Sequence, residues 1–400
     1  MSTPPTSDQR WQPTAADERY VTLDVLRGLA LLGVLLINLH TLFRVSLFEH
    51  ILHFHTDPGT WNHVVDVLLA GLLETKAVSL FSLMFGIGSA IQADRAAERG
   101  VNLTRFMVRR YLVLLVLGLC HLLLIWNGDI LVLYAVCGLL IVPLLRLPAW
   151  ILAVLGAAAI ALRFVVDLPI PFPSADAMQA QAAASTHVYG SGSFLDILVF
   201  RIRETRQFMV PLLMGFLPQT AGLMLCGIAA WRSGVLREPQ HHKWLLGTIF
   251  VGALAIGATA TSLQVFSEST GRTLAIPERL LRLCSFIPLA FSYAAGALLW
   301  MTPARVTRIT ALFAALGQMA LTNYLTESVV LGVIFYGYGF GLFGRMGSAP
   351  AVLIGIALYI GQLFFSRLWL RHYRFGPVEW LWRSLTYGRW QPMRGGKRPV

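Results

Sequence analysis

At 400 residues, 56% hydrophobic and only 13% charged, with a mean hydropathy of +0.64, the chain is too apolar and too poor in charge for an ordinary soluble domain. Its formal charge of +12 comes from basic residues in short clusters between apolar runs, not along one face, so it marks membrane topology and gives no nucleic-acid surface. Composition therefore predicts an all-α, polytopic integral membrane helix bundle embedded in lipid.

The chain begins with a polar, Pro- and Thr-rich stretch, residues 1–20, that lacks the apolar core and small-residue cleavage site of a signal peptide and reads as a flexible tail. About ten apolar runs follow between 21 and 370, at roughly 22–43, 64–92, 108–127, 130–146, 149–168, 207–231, 244–266, 281–301, 310–337 and 350–370. Glu74 and Lys76 interrupt the second, which reads either as one broken helix or as an interfacial helix before a shorter span. Lys and Arg concentrate in "DRAAERGVNLTRFMVRR", "WRSGVLREPQHHK" and the tail from Arg371, which puts both termini in the cytoplasm. The four cysteines lie in apolar runs, without metal-site or disulfide spacing.

The first span, "LDVLRGLALLGVLLINLH", carries polar residues that lipid does not accept. Arg27 and Asn38 fall within about 20° of each other on the helix, with Asp24 one turn before Arg27 as its partner. Arg27 either faces a substrate or anchors the span at the cytoplasmic side. His40 points away from that stripe toward the first outer loop, "FEHILHFHTDPGTWNH", whose histidines lack a metal-ligand arrangement, so no metal is expected. In the next segment Ser79, Ser82, Gly86 and Ser89 form a seam of small residues for close helix packing.

The segment "GLCHLLLIWNGDILVLYA" sets His121 toward the outer side, just before an Asn-Gly-Asp turn that carries Asp129. A buried histidine there is either a neutral, hydrogen-bonded packing residue or a general base oriented by a carboxylate. The long connection near 169–206 reads as an external segment that lies on the membrane surface, covers an opening or acts as a spacer. In "GQMALTNYLTES", Gln318, Thr322, Asn323, Thr326 and Glu327 spread over half a helix circumference, and Glu327 is the most function-suggestive residue in the chain. The basic segment 371–400 contains "FGPVEWLWRSLTYGRWQPM", an interfacial helix with Glu379 and Arg383 one turn apart.

Together "LDVLRG", "FSLMFGIG", "GLCHLLLIWNGDILVLYA", "GQMALTNYLTES" and "GPVEWLWRSLTYG", in this order between about Arg19 and Trp390, resemble the YeiB-like family of bacterial inner-membrane proteins (domain of unknown function 418). The opening also resembles transmembrane acyltransferases that acetylate sugars. That resemblance implies a bacterial cytoplasmic-membrane protein that moves an acyl group from cytoplasmic acyl-CoA, the donor substrate, to an extracytoplasmic acceptor, a small molecule or a glycan. The catalytic candidates are His121, His40, Asn38, Glu327 and Asp129, with His50 the other match for the family's first-span histidine. Arg27, Asn323, Gln318 and Lys76 are the substrate-binding candidates. The rival reading is a small-molecule transporter, in which Arg27, Lys76, His121 and Glu327 line a substrate or proton path.

Overall fold

The computed structural model describes residues 20–52, 57–166, 173–301 and 308–394, the side chains of 268 and 269 excepted. The N-terminal tail before Tyr20 lies outside them, as do His53 and His55. The chain is all-α. In order it forms α1 (Val21–Asn38), α2 (Leu47–Ile51), α3 (Thr60–Leu72), α4 (Lys76–Glu98), α5 (Leu103–Cys120), α6 (Leu131–Ile141), α7 (Ala149–Val165) and α8 (Ala175–Ser191). There follow α9 (Phe194–Glu204), α10 (Val210–Arg232), α11 (Lys243–Thr270), α12 (Glu278–Trp300), α13 (Arg308–Gln318), α14 (Ala320–Phe335), α15 (Ser348–His372) and α16 (Pro377–Tyr387).

Against the ten apolar runs of the sequence, six helical stretches among the described residues are long and apolar enough to cross a membrane: Val21–Phe43, Leu103–Ile125, Phe194–Arg232, Lys243–Ser267, Glu278–Trp300 and Ser348–His372. Leu131–Arg146, Ala149–Val165 and Ala320–Phe335 are shorter and apolar. The protein is a multi-pass membrane bundle. Large apolar side chains stay exposed on α11 (Val251, Ile256) and α15 (Leu353, Phe364), the faces that lipid covers.

The first helix, α1, is the hub, packed against α4, α13 and α15. Its Leu26, Leu31 and Leu35 are buried in one core with Met84, Met224 and Leu316. Glycines set the closest approaches: a Cβ on Gly317 would stand 1.9 Å from the Asp24 carbonyl oxygen, and one on Gly86 2.1 Å from that of Met224. The small-residue seam of α4 is a packing seam with polar ties, Gln219 donating to Ser79 (3.3 Å) and Tyr111 to Ser89 (2.8 Å).

Two runs are broken, the first where Glu74 and Lys76 interrupt the apolar pattern and the second where the sequence reads as continuous, and the breaks are satisfied from within. The 64–92 run is two helices, α3 and α4, joined at Thr75 with φ 58°, and the Lys76 ammonium binds the Ala70 carbonyl that the break frees (2.7 Å). The 310–337 run parts at Met319 into α13 and α14. There the Glu379 carboxylate, carried in from α16, accepts from Leu321 N (2.7 Å), Thr322 N (3.0 Å) and Thr322 Oγ1 (2.5 Å), while Asn323 Nδ2 donates to the Leu316 carbonyl (3.2 Å). Glu379 therefore caps α14 where the sequence pattern paired it with Arg383. Burial holds its carboxyl above the usual carboxylate range, against the pull of those hydrogen bonds.

Among the described residues three π-helical turns lie at one end of the bundle: Leu39–Phe43 after α1, His121–Ile125 after α5 and Thr205–Met209 between α9 and α10. Such turns insert a residue into the helical ladder and re-aim the side chains around it. The connection expected to lie outside is largely helical, with α8 and α9 packing over α2 and over the turn after α5. At the other end lie the starts of α1 and α5, the helix α16 and both ends of the described chain, with Tyr20 edge-on to Trp231 at 4.8 Å.

Candidate active site

His121 is the first residue of its π-turn, and the chain then doubles back through Trp126, Asn127, Gly128 and Asp129 into α6. Trp126 is extended and its N–H donates to the His121 carbonyl (2.8 Å). A Cβ on Gly118 would lie 2.8 Å from the Val132 nitrogen, so glycine is what lets the start of α6 rest on α5. That closeness brings Asp129 Oδ2 to 2.7 Å from His121 Nδ1, while Oδ1 accepts from Val132 N (2.7 Å) at the start of α6.

Both members of the pair are about 1% exposed. A carboxylate on Nδ1 fixes the tautomer that carries its proton there and leaves Nε2 with a free lone pair. Nε2 is buried and has no hydrogen-bond partner among the described residues. This is an oriented base with its working nitrogen unoccupied.

The surroundings come from distant segments. The Tyr324 ring of α14 lies 5.2 Å from the His121 ring, and the Trp126 ring 6.1 Å, stacked in turn on Phe43 at 4.4 Å. One turn beyond Tyr324 is Glu327, 3% exposed, with the Gln362 amide within reach as its polar neighbour among the described residues and Tyr359 nearby. His121, Asp129 and Glu327 thus converge around Tyr324, which feels both carboxylates.

The other candidates fall elsewhere. His40 sits on the far side of its π-turn from Phe43, 3.7 Å from Asp66 and with its ring 5.4 Å from His50, which meets Glu74 at 3.2 Å. Asn38 is half-buried at the junction of α1 and that turn, and Gln318 is half-buried at the end of α13. Asn323 is bonded to the Leu316 carbonyl and to Ser366 Oγ (3.0 Å), and Lys76 to the Ala70 carbonyl with the Phe286 ring 5.0 Å away. Both close helix breaks.

Arg27 pairs with Asp24 at 2.9 Å, at the opposite end of α1 from His40. Two further arginines share that end: Arg110, lying 3.8 Å over the Trp382 ring, and Arg383, 4.9 Å over Phe375. The Trp382 indole donates to the Arg110 carbonyl (3.0 Å), which docks α16 on α5. Burial and neighbouring Arg27 lower the Arg383 guanidinium from its ordinary value, against Tyr387, Glu379 and Asp24, which support its charge. These stacked cations form an anion-attracting corner.

Residues 230–389 match the family described as "Protein of unknown function (DUF418)", and residues 19–184 match "Heparan-alpha-glucosaminide N-acetyltransferase, catalytic". The uncharacterized protein YxaH of Bacillus subtilis (strain 168) is 36% identical over 96% of this chain and 98% of its own. The uncharacterized protein YeiB of Escherichia coli (strain K12) is 30% identical over 92% of this chain and 96% of its own. The chain belongs to the DUF418 family. An uncharacterized 39.9 kDa protein from the amylase 3' region of Bacillus acidopullulyticus is 28% identical over 95% of this chain and 97% of its own.

The acetyltransferase match, 19–184, takes in Asp24, Arg27, Asn38, His40, His121 and Asp129, whereas Glu327 and Arg383 fall in the DUF418 match. The site is thus built across both regions. Sequence reasoning did not single out Trp126, Tyr324, Arg201 or Glu204. The last two sit in "FRIRETR", where four charges interrupt what proves to be one helical stretch from Phe194 to Arg232.

Proposed function

We propose that the protein transfers an acyl group from acyl-CoA, bound at the end that holds the termini, to an acceptor at the His121 end. The observation that carries this reading is the buried His121–Asp129 pair with an open Nε2. The match to an acetyltransferase catalytic region over 19–184 supports the reaction class. The excess of basic residues at the termini supports placing that end in the cytoplasm of a bacterial inner membrane.

In this reading Arg110 and Arg383, with Arg27, meet the CoA phosphates. Arg110 and His121 are eleven residues apart on one helical run, roughly 16 Å at 1.5 Å per residue, so the thioester must reach the base on an extended arm. His121 Nε2 takes the proton from an acceptor hydroxyl or amine as its lone pair attacks the thioester carbonyl carbon. The C–S bond then breaks, and the thiolate takes the proton back from His121 to leave as CoA thiol. Asp129 holds the imidazole in register and stabilises its cation. The Trp126 indole N–H, buried beside the His121 ring and next to Tyr336, is the donor this reading assigns to the developing oxyanion.

The test uses detergent-purified protein and radiolabelled acetyl-CoA. Binding is expected to weaken in Arg110→Gln and Arg383→Gln, while label release or transfer is lost in His121→Ala with binding intact. No binding of acetyl-CoA by the wild type would overturn the proposal.

A further inference from the structure

Beside the base lies a second buried charge that the acyl-transfer chemistry leaves idle. Arg201, on α9, is 1% exposed, and none of its three guanidinium nitrogens has a hydrogen-bond partner among the described residues. The carboxylate one turn along the same helix does not serve it. Glu204 is engaged by other donors: Asn127 Nδ2 (2.5 Å) and Tyr189 Oη (2.6 Å) on Oε2 and Gln181 Nε2 (3.1 Å) on Oε1, with Ser185 Oγ 3.1 Å from Oε1 sharing its proton with the Gln181 carbonyl (2.7 Å). Five N–H donors in a planar fork are therefore held in a buried site.

The geometry points to an oxyanion site: we infer that Arg201 binds a carboxylate, phosphate or sulfate group carried by the acyl acceptor. Tyr336, whose ring centre lies 5.8 Å from the guanidinium, and Tyr338, whose hydroxyl is the polar group within reach of it, flank it. The same Tyr336 adjoins Trp126, and Trp126 adjoins His121, so an acceptor anchored at Arg201 extends toward the base. A groove lined by Glu49, Thr186, His187, Gly190, Phe343 and Arg345 lies on the far side of Phe343. Phe343 is one ring away from Tyr336 (6.1 Å), and the covering segment turns at Gly341 and Gly344, both with positive φ. The identification of the ligand as acceptor rests on the acyl-transfer reading, whereas the oxyanion site itself is tested without any acyl donor.

Full-length protein in detergent is titrated with sodium phosphate, sulfate and acetate against chloride at constant ionic strength, with thermal unfolding followed by intrinsic fluorescence. At least one oxyanion is expected to stabilise the wild type saturably where chloride does not, and the preferred ion distinguishes carboxylate from phosphate and sulfate acceptors. Arg201→Gln is expected to abolish the effect, and Arg201→Lys, which keeps the charge but not the fork, to weaken it by about tenfold or more. Arg203→Gln, an exposed neighbour, is expected to leave it unchanged. No oxyanion outperforming chloride, or an unchanged response in Arg201→Lys, would overturn the inference. Saturable binding without acetyl transfer would instead preserve the site and remove the transferase.

Discussion

A histidine in a membrane helix gains chemical meaning only from what holds each of its nitrogens. His121 has Asp129 on one and no hydrogen-bond partner among the described residues on the other, whereas His40 shares its surroundings with His50, Asp66 and Arg44. Removing a positioned base costs 10²- to 10⁴-fold in rate, so His121→Ala is expected to drop acyl transfer by roughly that factor while acetyl-CoA affinity holds. Asp129→Asn keeps the shape of the turn but no longer fixes the tautomer, and is expected to lower the maximal rate more than it changes the acceptor KM. His40→Ala is expected to retain most of the rate. A fall as deep as that of His121→Ala would move the chemistry to the first span.

The helices place these groups through close contacts that a single carbon would spoil. Gly317 meets the Asp24 carbonyl at the crossing of α1 and α13, so Gly317→Ala is expected to cost on the order of 1–3 kcal/mol as overpacking. Gly361, on the same bundle with nothing within 4 Å of its missing Cβ, is the control, and Gly361→Ala is expected to be neutral or slightly stabilising. Glu379→Ala strands the amides of Leu321 and Thr322 at the start of α14 and is expected to destabilise by about 1–3 kcal/mol, with Glu379→Gln retaining part of the cap. Unfolding of the purified variants in detergent checks all four. Spans such as 22–43 were legible from apolar length, and the α4 seam from small-residue spacing. The break near Thr75 was legible from Glu74 and Lys76, but the one at Met319 was not, because what satisfies it is a glutamate arriving from 58 residues beyond Leu321.

At the scale of the molecule, stacked cations occupy one end and an oriented base with a buried arginine the other. His121 and Asp129 could be paired from sequence, since eight residues and an Asn-Gly turn separate them. Glu327 was visible as a carboxylate in an apolar helix, but Arg201, Glu204 and Tyr324 became neighbours of the site only through the packing of α9 and α14 on the turn after α5. Single cysteines at Arg203 and Arg389, tested with a membrane-impermeant maleimide on intact cells, are expected to label at 203 only. The reverse would invert the proposed direction of transfer. The most direct measurement is transfer across the bilayer: proteoliposomes sorted by orientation, radiolabelled acetyl-CoA supplied on the side of the termini, and acetylated acceptor sought on the other side. The account predicts labelled acceptor from the wild type and none above background from His121→Ala, with acetyl-CoA bound by both. Equal transfer by both proteins would contradict it.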